Sequence, residues 1–90
     1  MQIRWTEAAI SDLVRINNHL TEYQPHYRQP TMRTLHKAIY SLREFPRRGR
    51  IGAEEGTREL LFLPLPYLAV YRIIDKRIDV LRIWHTSQYR

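Results

Sequence analysis

In the first half of the chain apolar residues recur every three or four positions; in the second half they alternate or gather in short runs. QIRWT, Gln2 to Thr6, reads as a short strand with Ile3 and Trp5 on one side. Thr6 is placed to cap the helix that follows, Glu7 suits its first turn, and Trp5 can staple against Ile10. Ile10, Leu13, Val14, Asn17 and Leu20 form one stripe at helical spacing. The helix is predicted to stop before Pro25, because a residue preceding proline avoids the helical region. QPHYRQPT, with two prolines, reads as a bend. A second helix is predicted from Pro30 or Thr31 to Phe45, with Met32, Leu35, Ala38, Ile39, Leu42 and Phe45 as its apolar face and Pro46 as its stop. RRGRIGAEEG (47–56) reads as a polar, glycine-marked loop. Three strands follow, RELLFL (58–63), YLAVYRII (67–74) and IDVLRIWH (78–85), with links short enough for antiparallel neighbours.

The pattern is β-α-α-β-β-β, an α+β fold in which a helical hairpin packs on one face of a small antiparallel sheet, and residues 1–90 are read as one domain. A three-residue turn, Asp75-Lys76-Arg77, sets the pairing of the last two strands. Leu68 then opposes Trp84, Val70 opposes Arg82, and Arg72 opposes Val80. Ala69, Tyr71, Ile73, Leu81 and Ile83 would face the helices. The other face would carry Leu68, Arg72, Arg82 and Trp84, joined by Arg58, Leu60 and Phe62. Such a face mixes guanidinium groups with large apolar ones and has no third layer to cover it, so it is predicted to be a docking surface.

Charge sharpens this picture. The chain carries 15 Lys and Arg against 9 Asp and Glu, a net +6, and all but Lys37 and Lys76 of those cations are arginines. Between positions 31 and 50, Arg33, Lys37, Arg43, Arg47, Arg48 and Arg50 face Glu44 alone. Arg47, Arg48 and Arg50 form a basic patch suited to nucleic acid or an acidic protein segment. Arginine favours planar, bidentate recognition of phosphate and carboxylate. No cysteine is present, which fits a reducing compartment. No apolar run approaches about 20 residues, and MQIRWTEAAI lacks a signal-peptide layout; a cytoplasmic protein without membrane contact is expected. His19, His26 and His36 are scattered without carboxylates at ligand spacing, so no metal and no cofactor is expected.

Gly56-Thr57-Arg58-Glu59-Leu60, the Tyr67-to-Arg72 strand and Arg82-Ile83-Trp84-His85 succeed one another as they do in the RelE/ParE superfamily of type II toxin–antitoxin toxins, which this chain resembles over nearly its whole length. Leu42-Arg43-Glu44-Phe45-Pro46 followed by Gly49-Arg50 adds to the likeness. The resemblance implies a growth-inhibiting toxin neutralised by a cognate antitoxin, with operator DNA contacted through the antitoxin complex. Arg58, Leu60, Phe62, Leu68, Arg72, Arg82, Trp84 and Arg90 are the expected target- or antitoxin-binding residues.

Two mechanisms divide that superfamily. RelE-like members cut mRNA on the translating ribosome; ParE-like members poison DNA gyrase. Metal-independent RNA cleavage needs activation of a 2′-hydroxyl, neutralisation of a phosphorane and protonation of the leaving oxygen. His85, Arg82 and Tyr89 are the catalytic candidates for that chemistry. Alternatively His85 only closes the strand end against Tyr67, and Trp84 packs under the tail. RelE proper carries an arginine where PYLAVY has Leu68, and lysines in the strand that here reads RELLFL. Those missing charges tilt the reading towards gyrase poisoning, with the nuclease as alternative and a plain nucleic-acid-binding module behind it.

Overall fold

The computed structural model describes residues 1–89. Strand β1 (Gln2–Trp5) leads into helix α1 (Glu7–Tyr23), helix α2 (Pro25–Tyr40) and a single 3-10 turn (Ser41–Arg43). Strands β2 (Arg50–Ile51), β3 (Thr57–Leu61), β4 (Tyr67–Ile74) and β5 (Arg77–His85) follow. The five strands form one sheet in the order β1-β5-β4-β3-β2. The helices cover one face, as expected, but the sheet is mixed: β1 runs parallel to β5, Gln2 beside Arg77 through Trp5 beside Val80. The helical hairpin between them forces that direction, since it returns the chain to the end of the sheet from which β1 departed. The two-residue β2, inside the predicted polar loop, pairs Arg50 with Glu59 and Ile51 with Arg58.

Thr6 caps α1 by accepting the Ala9 N–H at 3.2 Å. Its hydroxyl also lies 2.9 and 3.0 Å from the Val80 and Leu81 carbonyls, tying the start of the helix to β5. That tether fixes the rotation of α1, and the buried stripe is Ala9, Asp12, Ile16 and Leu20. The predicted stripe is therefore displaced by about one residue: Ile10 and Val14 are half-exposed, and Trp5 packs on the core and near His36 rather than stapling Ile10. A pattern built from apolar residues alone leaves out Asp12, the polar member of the inward face.

The bend between the helices is the single residue Gln24, not the predicted QPHYRQPT. Pro25 sits at the first position of α2, where its missing N–H costs nothing, and Pro30 lies inside the helix. Leu35, Ile39 and Leu42 are fully buried as expected, while Phe45 lies beyond the helix and is exposed. Each such aliphatic side chain contributes roughly 1.5–3 kcal/mol on burial. They meet Leu60, Phe62, Tyr67, Ala69, Tyr71, Ile78, Val80 and Ile83 from the sheet.

The β4–β5 pairing follows prediction for only half its length. Leu68 opposes Trp84 and Val70 opposes Arg82, but Tyr71 opposes Val80 and Arg72 opposes Asp79. The turn holds two residues, Asp75 and Lys76, because Asp75 adopts φ 54°, a left-handed conformation that aspartate tolerates. Leu81 is the extra residue of a bulge that restores the expected register beyond it. Val80 thus replaces Leu81 in the core. The β3–β4 pairing moves more residues: Leu60 opposes Ala69 and Arg58 opposes Tyr71. Arg58, Leu60 and Phe62 consequently lie on the helix side. Leu60 and Phe62 are core residues, 3% exposed, and are removed from the predicted docking face.

Candidate functional site

The face away from the helices is built on Glu59, Leu68, Val70 and Asp79, all buried, with Arg72, Arg82 and Trp84 half-covered around them. The apolar part of this face is not open as predicted. Beyond His85 the chain folds back: Thr86 N–H donates to the Pro66 carbonyl at 2.8 Å, and Gln88 N–H to that of His85 at 2.9 Å. The Tyr89 ring then lies 6.2 Å from that of Trp84, and its hydroxyl donates to the Glu59 carboxylate. What stays open is a cleft of about 420 Å³ between tail and sheet, lined by Val70, Leu81, Arg82, Trp84, Gln88 and Tyr89 among others.

Buried carboxylates with arginines spread over them organise the outer face. Glu59 accepts from Arg50 Nε at 2.9 Å and from the Ala53 N–H at 3.2 Å, besides Tyr89. Burial would raise its pKa, but these donors outweigh that effect and hold the carboxyl below its ordinary value. The same carboxylate pushes the Tyr89 phenol up. At the other end, Asp79 binds Arg77 Nε at 2.7 Å and Arg4 Nη2 at 3.1 Å. Hydrogen bonding to Arg77 is the main reason its carboxyl is held low.

Asp12 serves the edge of β5 left open where β1 ends. It accepts Arg82 Nε at 2.8 Å, Arg82 Nη2 at 3.0 Å, the Ile83 N–H at 2.9 Å and Arg15 Nη2 at 2.7 Å. Burial again opposes ionisation, and the bonds from Arg82, Ile83 and Arg15 prevail to lower the pKa. Arg82, whose pKa is raised chiefly by the bond to Asp12, also stacks 4.2 Å above Trp84.

The three nuclease candidates are therefore not brought together. Arg82 and Tyr89 share the outer cleft, each tied to a carboxylate. His85, opposite Tyr67, points to the helix side, where the two rings meet edge-on at 5.5 Å. Its Nδ1 accepts the Ser87 N–H at 3.1 Å. The basic patch is split likewise. Arg50 turns to Glu59, and Arg48 donates to Ser41 Oγ at 2.6 Å. Arg58, on the helix side, binds the Gly49 and Arg47 carbonyls at 2.7 and 3.3 Å. Of the expected binding residues, Leu68 is 2% exposed; Arg72, Arg82 and Trp84 keep partial access. Arg90 lies outside the described residues.

The family described as ParE toxin of type II toxin–antitoxin systems, parDE, matches this sequence over residues 3–89. The chain belongs to the ParE toxin family. Toxin RelE2 of Caulobacter vibrioides is 34% identical over 87 residues, spanning 97% of each chain. A solved chain of the chromosomal ParDE system of P. aeruginosa superposes with a TM-score of 0.85 at 26% identity, covering 94% of this chain and 95% of that one. The RelBE2 toxin–antitoxin complex of Mycobacterium tuberculosis shares the fold at a TM-score of 0.54 and 23% identity, over 93% and 95% of the chains. In this ParE-family toxin the residues that sequence reasoning passed over are Asp12 and Glu59. Asp12 had one signal, its i+3 and i+4 spacing from Ala9 and Ile16 on the buried stripe. Glu59 stood inside the Gly56-Thr57-Arg58-Glu59-Leu60 motif, but nothing there marked it as buried on the outer face, because that depends on the β3 register.

Proposed function

We propose that this ParE-family toxin inhibits growth by binding a protein target, DNA gyrase, and that a cognate acidic antitoxin silences it. The observation that carries the choice of target is that His85 faces Tyr67 on the helix side of the sheet while Arg82 and Tyr89 line the cleft on the other face. Phosphoryl chemistry needs acid, base and charge stabiliser converging within hydrogen-bond reach of one phosphate. Here Arg82 is neutralised by Asp12, and Tyr89 gives its proton to a bond with Glu59. What remains is an outer face on which Arg4, Arg50 and Arg77 are spread over the buried carboxylates Asp79 and Glu59, and Arg72 has no ion-pair partner among the described residues, around a cleft walled by Trp84 and Tyr89, on a chain of net +6. That combination suits docking of acidic protein surface and segment. Operator DNA would be reached through the antitoxin complex.

Purified toxin added to gyrase and relaxed plasmid is expected to suppress supercoiling and accumulate cleaved DNA, while ribosome-bound message stays intact. Message cut in the ribosomal A site, lost on His85→Ala, would replace this reading with the nuclease. A steep salt dependence of DNA or RNA affinity with neither target affected would indicate a nucleic-acid-binding module.

A further inference from the structure

On the helix side, where α1 crosses the ends of β4 and β5, a pocket of about 310 Å³ lies among Arg15, His19, Tyr67, His85 and Gln88. Tyr67 is 7% exposed, yet its hydroxyl forms no hydrogen bond with the described residues. No sealed side-chain oxygen or nitrogen among those residues lacks a partner. Tyr67 lines the pocket, and its hydroxyl has no partner among those residues to draw it away. Burial pushes this phenol up, so it stays protonated as a donor. His85 adds a second donor. A backbone N–H can only donate, so the Nδ1 that receives it from Ser87 is unprotonated, and the neutral ring carries its proton on Nε2. His19 of α1 and the Gln88 amide stand at the rim, and among the described residues no acidic side chain lines the pocket.

We propose that this pocket receives a carboxylate side chain from an acidic protein partner, a reading that rests on the antitoxin assigned above. Among the described residues its one permanent cation, Arg15, is already bonded to Asp12 at 2.7 Å. The other groups offer single O–H and N–H donors. Such a set suits a planar monoanion with two oxygens; a phosphate dianion would be left under-neutralised. Ile16 and the Tyr67 ring supply an apolar wall for the methylenes that carry such a carboxylate. The pocket lies on the opposite side of the sheet from the outer cleft, so one acidic segment gripping both would have to wrap the edge of the molecule.

The full-length chain, isotopically labelled, is titrated with sodium acetate, and separately with inorganic phosphate and sodium chloride at matched ionic strength. Acetate is expected to shift the His85 and His19 ring resonances saturably, with phosphate weaker and chloride inert. Tyr67→Phe should weaken acetate binding about tenfold, the loss of one hydrogen bond to a charged acceptor, without altering the folded spectrum. The rim variant His19→Ala, at an exposed position whose ring meets only that of Tyr23 one turn along α1, should weaken it less. Shifts equal for acetate and chloride, or acetate affinity unchanged in Tyr67→Phe, would overturn the site. Phosphate binding more tightly than acetate would overturn the ligand class. Tight antitoxin binding without any acetate response would dismiss the pocket and leave the antitoxin reading standing. An acetate response in a chain that no antitoxin binds would keep the carboxylate site and refute its assigned source.

Discussion

Tyr71 shows how much one side chain holds in this fold. It is fully buried; its hydroxyl donates to the Pro46 carbonyl at 2.6 Å and accepts the Gly49 N–H at 2.9 Å. Tyr71→Phe strands both backbone groups, at about 1–3 kcal/mol for each group left buried and unpaired. A melting temperature lowered by on the order of 10 °C is expected, given roughly 4–8 °C per kcal/mol in a domain this size. Gly49→Ala should do at least as much harm, because a Cβ there would lie 2.7 Å from the Tyr71 ring and 2.9 Å from the Glu59 carbonyl. Tyr71 was legible as a core residue from its alternation along the strand; its role in fastening the loop was not, because two hydrogen bonds to backbone leave no trace in hydropathy. Asp12 makes a similar point. Asp12→Asn should cost about 1.5–3 kcal/mol through its charge-assisted bonds, whereas Arg15→Ala should cost under about 1 kcal/mol. Arg15 is 56% exposed and Asp12 only 1%. Paired chemical denaturation of the two variants checks the ordering, and equal losses would refute the picture of Asp12 as the seal on the β5 edge.

At the scale of elements, the helices and the three long strands were readable, and the connections were not. Apolar spacing reports which residues can share a face. It does not report that Gln24 alone turns the chain, or that Asp75 shortens a turn and Leu81 restores the register. Those outcomes depend on backbone conformations that a few residues permit without demanding. The consequence reached the site, because the β3 register moved Leu60 and Phe62 from docking face to core. Pro30 tests the helix boundary directly. Inside α2 it withholds an N–H from the His26 carbonyl, a defect costing up to about 3 kcal/mol, partly offset by restriction of the unfolded chain. Pro30→Ala should therefore stabilise the protein by on the order of 1 kcal/mol and increase helical ellipticity. A loss of stability would mean that the first turns of α2 are held by something other than their own ladder.

For the whole molecule, three buried carboxylates join parts distant in sequence: Asp12 fastens α1 to β5, Glu59 fastens the loop and tail to β3, and Asp79 fastens the arginines of β1 and β5 to the sheet. Each has its pKa lowered in the folded chain, from ordinary values of 3.8 for the aspartates and 4.5 for the glutamate. Below those values the unfolded chain takes up protons that the folded chain resists, so stability must fall as pH falls. The contribution is complete above the unfolded values and is lost as pH drops through the lower folded ones. Acid also removes negative charge from a chain already at +6, which adds repulsion among the arginines. Urea unfolding should accordingly give a constant midpoint from about pH 7 down to about pH 5, then a steep decline below about pH 4. Glu59→Gln should flatten part of that decline, and should release Tyr89 from the outer cleft, read as increased mobility of the tail by NMR. If the midpoint were level from pH 5 to pH 3, the carboxylates would not be the fastenings inferred from their geometry. The outer face would then owe its closure to the packing of Trp84 and Tyr89 alone.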